Sequence, residues 1–278
     1  MEFSVVMPLY NKSYSIIRCI DSVLSQTYIN FELIVVDDGS TDDSKYILKE
    51  QYFDEIAEGK IRLIEQKNKG VSAARNNGVQ IAAHDYLCFL DADDEWLPDF
   101  LEQMRKLIAD YPLADLYCLA HKVCKDDQYL FVPKHGLPSD HRGYVEDFFA
   151  SSTKGSVAKS SKICVNKGSF LKIGGFPVGV VAGEDLYVWI RLALNGPVAC
   201  DMSQSVIVHI GLDDSRSARK NSVPYPFVYF SDNKYLHKSS SLNKYLFSIF
   251  YKHFLKSIID LEFGEAWLRI SAYIKVYY

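Results

Sequence analysis

Two acidic turns, Asp37-Asp38-Gly39-Ser40 and Asp91-Ala92-Asp93-Asp94, each follow an apolar run: Leu33-Ile34-Val35-Val36 and Tyr86-Leu87-Cys88-Phe89-Leu90. A third acidic pair, Glu184-Asp185, follows Val181-Ala182-Gly183. A buried strand that runs straight into carboxylates delivers negative charge to the rim of a parallel sheet. Open α/β sheets bind ligands there, beyond the carboxyl ends of their strands. Carboxylates at that rim suit a divalent cation, ribose hydroxyls or a proton transfer. In the turn of residues 91–94, one carboxylate can meet a metal while another meets a sugar hydroxyl. Mg2+ takes one or two carboxylates and fills its shell with water and substrate phosphates, so this turn holds metal well only together with a diphosphate. Each stretch also has a purely structural use. Asp-Gly-Ser is ordinary turn chemistry, an acidic loop caps the helix near Pro98, and carboxylates at a helix start complement its dipole.

Asn68 to Gly78 is a second kind of feature, a glycine loop followed by the Ala-rich run Val71-Ser72-Ala73-Ala74-Arg75. Arg75, one turn into a helix, can face a nucleotide's phosphates or base, or be a solvated arginine on a close-packed helix. His209 lies in an apolar run before Gly211, where a satisfied core histidine is the simpler reading. Ser215-Arg216-Ser217 reads as a polar loop in which Arg216 could cover a phosphate.

The elements that must position these groups alternate along the first 110 residues. Strands are expected at Phe3–Pro8, Glu32–Asp37, Ile61–Glu65 and Tyr86–Leu90. Helices are expected at Ser15–Gln26 (Ile16, Ile17, Ile20, Val23 and Leu24 inward), after a cap at Ser40 or Thr41, at Val71–Ala83, and from Pro98 to about Ala109. This alternation predicts a parallel sheet with helices on both faces. Beyond it the pattern weakens. Ala114–Val123, Ser161–Val165 and Ser205–Ile210 read as strands, Asp126–Arg142 as a loop-rich excursion, Asp185–Leu194 as a helix, and the chain from Tyr235 as helical.

The 278 residues, 48% hydrophobic and 24% charged, suffice for one large α/β domain plus an appendage. The polar stretch Asp213–Ser222 divides them, giving 1–214 as the main domain and 215–278 as a helical extension. That extension carries ten Lys/Arg against four Asp/Glu in a chain of net charge −4, and 15 of the 38 aromatic residues. Lys234, Lys238, Lys244, Lys252, Lys256 and Lys275 alternate with Tyr235, Tyr245, Phe247, Phe250, Tyr251 and Phe254. Such a segment points to an anionic membrane surface; packing on the main domain or on a second copy of the chain is the alternative. Six scattered cysteines without a CxxC pair suggest a reducing compartment. The N-terminus lacks a secretion-signal pattern, so a cytoplasmic location is expected, peripheral on the inner membrane face if the extension docks there. The segment Tyr245–Ile259 is too short and too charged to span a bilayer.

In order, the chain presents Val6-Met7-Pro8-Leu9-Tyr10-Asn11, Val36-Asp37-Asp38-Gly39-Ser40-Thr41-Asp42, Gly70 to Gly78, Phe89 to Asp94 and Gly183 to Trp189. This ordered set resembles the family 2 glycosyltransferases, closely over residues 1–110 and again over 174–195. The resemblance implies a GT-A fold: a Rossmann-like, mostly parallel sheet flanked by helices. It also implies Pro8, Tyr10 and Asp38 around the nucleobase, Arg75 beside the nucleotide, and Asp91 on the ribose or sugar-phosphate side. Asp93 would ligate Mn2+ or Mg2+, with Asp94 and His209 nearby, and Asp185 would be the catalytic base. Glu184, Trp189 and Arg216 are expected on the acceptor side. The implied activity is transfer of one sugar, with inversion, from a nucleotide-sugar donor such as a UDP-sugar to a glycan or polyprenyl-linked acceptor in bacterial surface polysaccharide synthesis. The chain lacks the Gln-x-x-Arg-Trp-like motif of processive synthases, and no nucleic-acid partner is expected. A pyrophosphorylase would need glycines where Pro8-Leu9-Tyr10-Asn11-Lys12 stands. Neither GxxxxGK[ST] nor an early GxGxxG is present, which disfavours a Walker-type NTPase and a nicotinamide dehydrogenase. A nucleotide-sugar-binding module without transferase activity is the non-enzymatic alternative.

Overall fold

The computed structural model describes residues 1–125, 128–210, 223–231 and 239–259. Among these, ten strands form one sheet: β1 (Phe3–Leu9), β2 (Phe31–Asp37), β3 (Ile61–Glu65), β4 (Tyr86–Phe89), β5 (Glu95–Trp96), β6 (Leu116–Lys125), β7 (Gln128–Phe131), β8 (Arg142–Tyr144), β9 (Ile163–Asn166) and β10 (Val198–His209). The helices are α1 (Ile16–Leu24), α2 (Ser44–Gln51), α3 (Phe53–Ala57), α4 (Val71–Ile81), α5 (Phe100–Asp110), α6 (Phe148–Ser152), α7 (Lys167–Lys172), α8 (Glu184–Asn195), α9 (Tyr225–Ser231) and α10 (Ser240–Ile259). A 3-10 turn at Ser160–Lys162 leads into β9.

The strand order is β3-β2-β1-β4-β9-β6-β10-β5, with β7 on β6 and β8 on β10. β1 to β4 run parallel to one another, so their carboxyl ends share one edge. β9 lies antiparallel between β4 and β6, a direction that its short apolar run did not disclose. Successive strand residues point to opposite faces. Val6, Ile34, Val36, Leu87 and Phe89 therefore join one core layer, which includes Ala74 and Val79 of α4 and Val188 and Trp189 of α8. Val5, Met7, Leu33, Val35 and Cys88 join the other, which includes buried residues of α1 and α5.

Gly78 sets how closely α4 lies on β1. A Cβ there would stand 2.4 Å from Val6 Cγ1. This close approach carries Arg75, one turn earlier, toward the end of β4.

Several elements differ from expectation. On α1, Ile17 is 42% exposed and Cys19 is buried, because the inward stripe follows 16, 19, 20 and 23. Neither Ser40 nor Thr41 caps α2: Asp43 occupies the N-cap position, and Ser40 Oγ accepts from the Asn11 N–H at 3.1 Å. The excursion contains β7, and β10 begins at Val198 rather than Ser205. α9 falls within the helical extension expected over 215–278, ahead of the helical stretch read from Tyr235. Phe227 and Phe230 of α9, with Leu242, Tyr245, Leu246 and Ile249 of α10, are buried in the core layer that holds Trp189. This part of the extension packs on the main domain. The stretch 213–222 and residues Lys234, Tyr235, Lys238 and Lys275 lie outside the described residues.

Candidate active site

At the rim, β1 and β2 end side by side, with Leu9 opposite Asp37. Pro8 is half-buried, and Tyr10 is 44% exposed just beyond the strand. Asp38 is buried. Its Oδ1 accepts from Gln66 Nε2 at 2.7 Å and from the Lys69 N–H at 2.8 Å, and its Oδ2 accepts from the Gly70 N–H at 2.8 Å. Asp38 thus ties the glycine loop before α4 to the end of β2. Oδ2, with one bond, keeps a lone pair for a further donor.

The three carboxylates of the second acidic turn have separate environments. The Asp91 N–H donates to Ser161 Oγ at 3.3 Å, and Ser161 Oγ donates to Asp94 Oδ2 at 2.5 Å. The His209 N–H donates to Asp94 Oδ1 at 3.1 Å. Asp94 is fully buried, and its pKa is pushed up to about 6 by burial, then by the neighbouring charges of Asp93 and Asp91, against the opposing pull of Lys159. Asp93 reaches the surface with its side chain 25% exposed and binds Lys12 Nζ at 2.9 Å. The His209 ring is buried with Nε2 3.5 Å from Glu95 Oε2, and neither ring nitrogen makes a hydrogen bond. His209 thus meets Asp94 through its backbone while its ring lies beside Glu95, and the accessible carboxylate of Asp93 pairs with Lys12 instead. Among the described residues no group of three His, Cys, Asp or Glu side chains is arranged to enclose a metal ion.

Arg75 joins the two halves of the site. It is buried, with Nη2 2.6 Å from Asp91 Oδ1 and Nη1 3.6 Å from Glu184 Oε1, and its guanidinium lies 5.0 Å from the Phe176 ring centroid. Burial works against its charge, but Asp91 and Glu184 more than offset this and raise its pKa. The adjacent Asn76 donates to the Phe176 carbonyl at 2.7 Å and accepts from the Phe176 N–H at 2.9 Å. These contacts hold the start of α8 against α4 and the end of β4. Glu184 is therefore a buried ion-pair partner of Arg75, not an open acceptor contact. Asp185 is half-buried at the first turn of α8, and its Oδ1 accepts from the Leu186 N–H at 2.7 Å.

Trp189 corrects an expectation. It is 1% exposed and packs among Phe89 and Phe176, so it belongs to the core and not to an acceptor surface. On α8 it lies with the buried Val188 and Leu192 on the inward face. Arg216 lies outside the described residues. The sequence reading did not single out Lys12, Gln66, Asn76, Ser161 or Phe176. Lys12 and Asn76 lie within quoted motifs, but the others are separated from their partners by long stretches of chain and carry no local signal.

The model of "Glycosyl transferase family 2" matches residues 4–170. The amylovoran biosynthesis glycosyltransferase AmsB of Erwinia amylovora is 47% identical over 110 residues, 39% of this chain and 36% of that protein. The glycosyltransferase GlyA of Streptococcus pneumoniae serotype 4 is 43% identical over 110 residues, 40% of this chain and 15% of that protein. An uncharacterized glycosyltransferase of Rickettsia felis is 30% identical over 201 residues, 71% of this chain and 31% of that protein. The chain thus aligns with between 15% and 36% of the length of these curated relatives. Among solved structures, S. aureus TarS 1–349 in complex with UDP-GlcNAc matches with a TM-score of 0.71 at 19% identity, covering 90% of this chain and 73% of that one. At that identity the likeness is one of fold, the GT-A arrangement.

Proposed function

Since the chain belongs to glycosyl transferase family 2, we propose that it transfers a single sugar, with inversion, from a nucleotide-sugar donor to a hydroxyl of a glycan or lipid-linked acceptor. The observation that carries this reading is the Arg75 bracket. It ties Asp91, at the sugar-phosphate rim, to Glu184, next to the candidate base Asp185. A donor lying over Tyr10, Asp38 and Asp91 would then present its anomeric carbon toward the start of α8.

In this mechanism an acceptor oxygen bonds to the anomeric carbon as the bond to the nucleoside diphosphate breaks, and Asp185 takes the acceptor proton. One oxygen of Asp185 is fixed by the Leu186 N–H; no described residue hydrogen-bonds the other. Lys12, whose ammonium binds Asp93, would be the cation for a donor phosphate in this reading. The residues fit a divalent cation shared with substrate: the accessible Asp93 carboxylate already holds a cationic group, and the missing ligands are those a diphosphate supplies. Asp93, with Asp94 and His209 behind it, would hold Mn2+ or Mg2+, which offsets the charge of the departing diphosphate. A UDP-sugar donor and a setting in bacterial surface polysaccharide synthesis are the choices favoured by the named relatives, AmsB and TarS. The exposed Lys244, Phe247 and Tyr251 of α10 further support a contact with anionic lipid.

A nucleotide-sugar panel with Mn2+, scored by UDP or GDP release in the presence of acceptor, tests this reading. Turnover is expected to vanish in excess EDTA. Asp185→Asn is expected to cost on the order of 10²–10⁴-fold in rate. Donor binding with no release under any condition would favour a non-catalytic binding module, and near-normal turnover of Asp185→Asn would remove that residue from the chemistry.

A further inference from the structure

The candidate base sits at the end of a helix that its local sequence does little to hold. α8 opens at Gly183, which has a φ of 79° and offers no side chain to cap the first amides. The first N–H groups of a helix lack intrahelical partners, and glycine loses more conformational freedom on ordering than any other residue. The first backbone bond of α8 runs from the Tyr187 N–H to the Gly183 carbonyl at 3.0 Å. On one side, the start of the helix is gripped through Glu184 by Arg75.

On the other side, the grip comes from the extension. The Tyr225 N–H donates to the Ala182 carbonyl at 2.9 Å. A Cβ on Gly183 would stand 2.9 Å from Pro226 Cδ and 3.2 Å from Pro224 Cβ, so this turn lies directly against Pro224-Tyr225-Pro226. Tyr187 of α8 meets Tyr225 and Tyr229 of α9 edge-on, with ring centroids 5.2 and 4.7 Å apart. Arg191, one turn beyond Tyr187, donates through Nη1 to the Tyr187 hydroxyl at 2.8 Å and to the Tyr229 hydroxyl at 2.7 Å. Hydrogen bonds from a guanidinium are stronger than neutral ones. The same guanidinium lies 5.6 Å from both ring centroids. Phe227 and Phe230, buried in the core layer of Trp189, seat the other face of α9.

We propose that Arg191 and Tyr229 are positioning residues for the transfer: they clasp α9 onto α8, so that the segment 224–226 fixes the turn from which Asp185 projects. The role in transfer rests on the transferase reading above; the clasp itself does not. Asp38 and Asp91 have their own supports in Gln66, the glycine loop and Arg75. Loosening α9 therefore acts on the placement of the base and not on the hold of the donor. The second half of the chain thereby becomes part of what makes the first half a catalyst.

The test combines hydrogen–deuterium exchange with steady-state kinetics on the full chain carrying Tyr229→Ala. Exchange over residues 182–188 is expected to quicken about tenfold or more, with β1 to β4 unchanged. With the donor and acceptor found by the nucleotide-sugar panel, kcat per donor-binding site is expected to fall about 10- to 100-fold, since misplacing a reacting group by about 1 Å can cost 100-fold. The donor Kd by calorimetry is expected to stay within about twofold, and counting kcat per binding site removes any unfolded fraction. Tyr229→Phe keeps the ring on Tyr187 but loses the Arg191 bond, and is expected to fall between parent and Tyr229→Ala. Should near-ultraviolet circular dichroism show Tyr229→Ala unfolded, Tyr229→Phe and Arg191→Met make the same comparison. Unchanged exchange over 182–188 overturns the proposal, as does faster exchange with kcat unchanged, or a donor Kd that weakens in step with kcat. A parent that turns over no donor defeats the transferase reading, and the exchange comparison, which needs no turnover, still decides the clasp.

Discussion

Asp94 shows how a single carboxylate can serve the site at the expense of the fold. Its pKa, raised by burial to about 6, means that the folded state holds a proton which the unfolded chain releases near 3.8. Stability is therefore greatest at low pH with respect to this group, and falls as pH rises through about 6. Asp94→Asn can keep both hydrogen bonds, accepting from the His209 N–H and donating to Ser161 Oγ, without the charge. Melting curves are expected to show the variant more stable than the parent at pH 8, by roughly 1–3 kcal/mol. That advantage should shrink below pH 6, where the parent takes up its proton. A variant less stable at pH 8 would mean that the ionised form is favourably held.

At the scale of elements, the seating of α4 on β1 controls the bracket. Gly78→Ala adds a methyl group against Val6, a β-branched side chain fixed in a central strand. Overpacking of this kind costs about 1–3 kcal/mol, partly offset by the better helix propensity of alanine. Net destabilisation in denaturant unfolding is expected, together with weaker donor binding, because Arg75 moves with the helix. Adding Val6→Ala opens the space, so the double variant should be more stable than the sum of the two single changes predicts. Additive losses would show that the helix does not rest on Val6. The strands of this half were legible because continuous apolar runs end in turn residues. The bracket was not, since Arg75 and Glu184 lie 109 positions apart and a buried ion pair leaves no periodicity. Trp189 misled for the related reason that its neighbours in sequence, Glu184 and Asp185, belong to the site while its side chain faces inward.

For the whole molecule, the second half departs most from the sequence reading. The antiparallel β9 and the length of β10 are set by what they pack against, which short apolar segments do not announce. The aromatic character of the extension had two readings, and the described part of α10 packs on the main domain while leaving two of its aromatic residues exposed. Tyr245, Leu246 and Ile249 are core residues, whereas Phe247 and Tyr251 are 43% and 49% exposed beside Lys244. If the proposed lipid contact is real, the full chain should float with vesicles containing phosphatidylglycerol and not with phosphatidylcholine alone. Lys244→Glu should reduce that fraction at low salt. Equal flotation with both vesicle types, or none, would count against it.

The fastening of the acidic turn also carries a consequence for how the protein is made. Asp94 is held by Ser161 and His209, 67 and 115 residues further along the chain. Synthesis is vectorial, and early segments fold before later ones emerge. A nascent chain can therefore assemble its first parallel strands while residues 91–94 still lack their anchors, and can complete this turn only after β10 has left the ribosome.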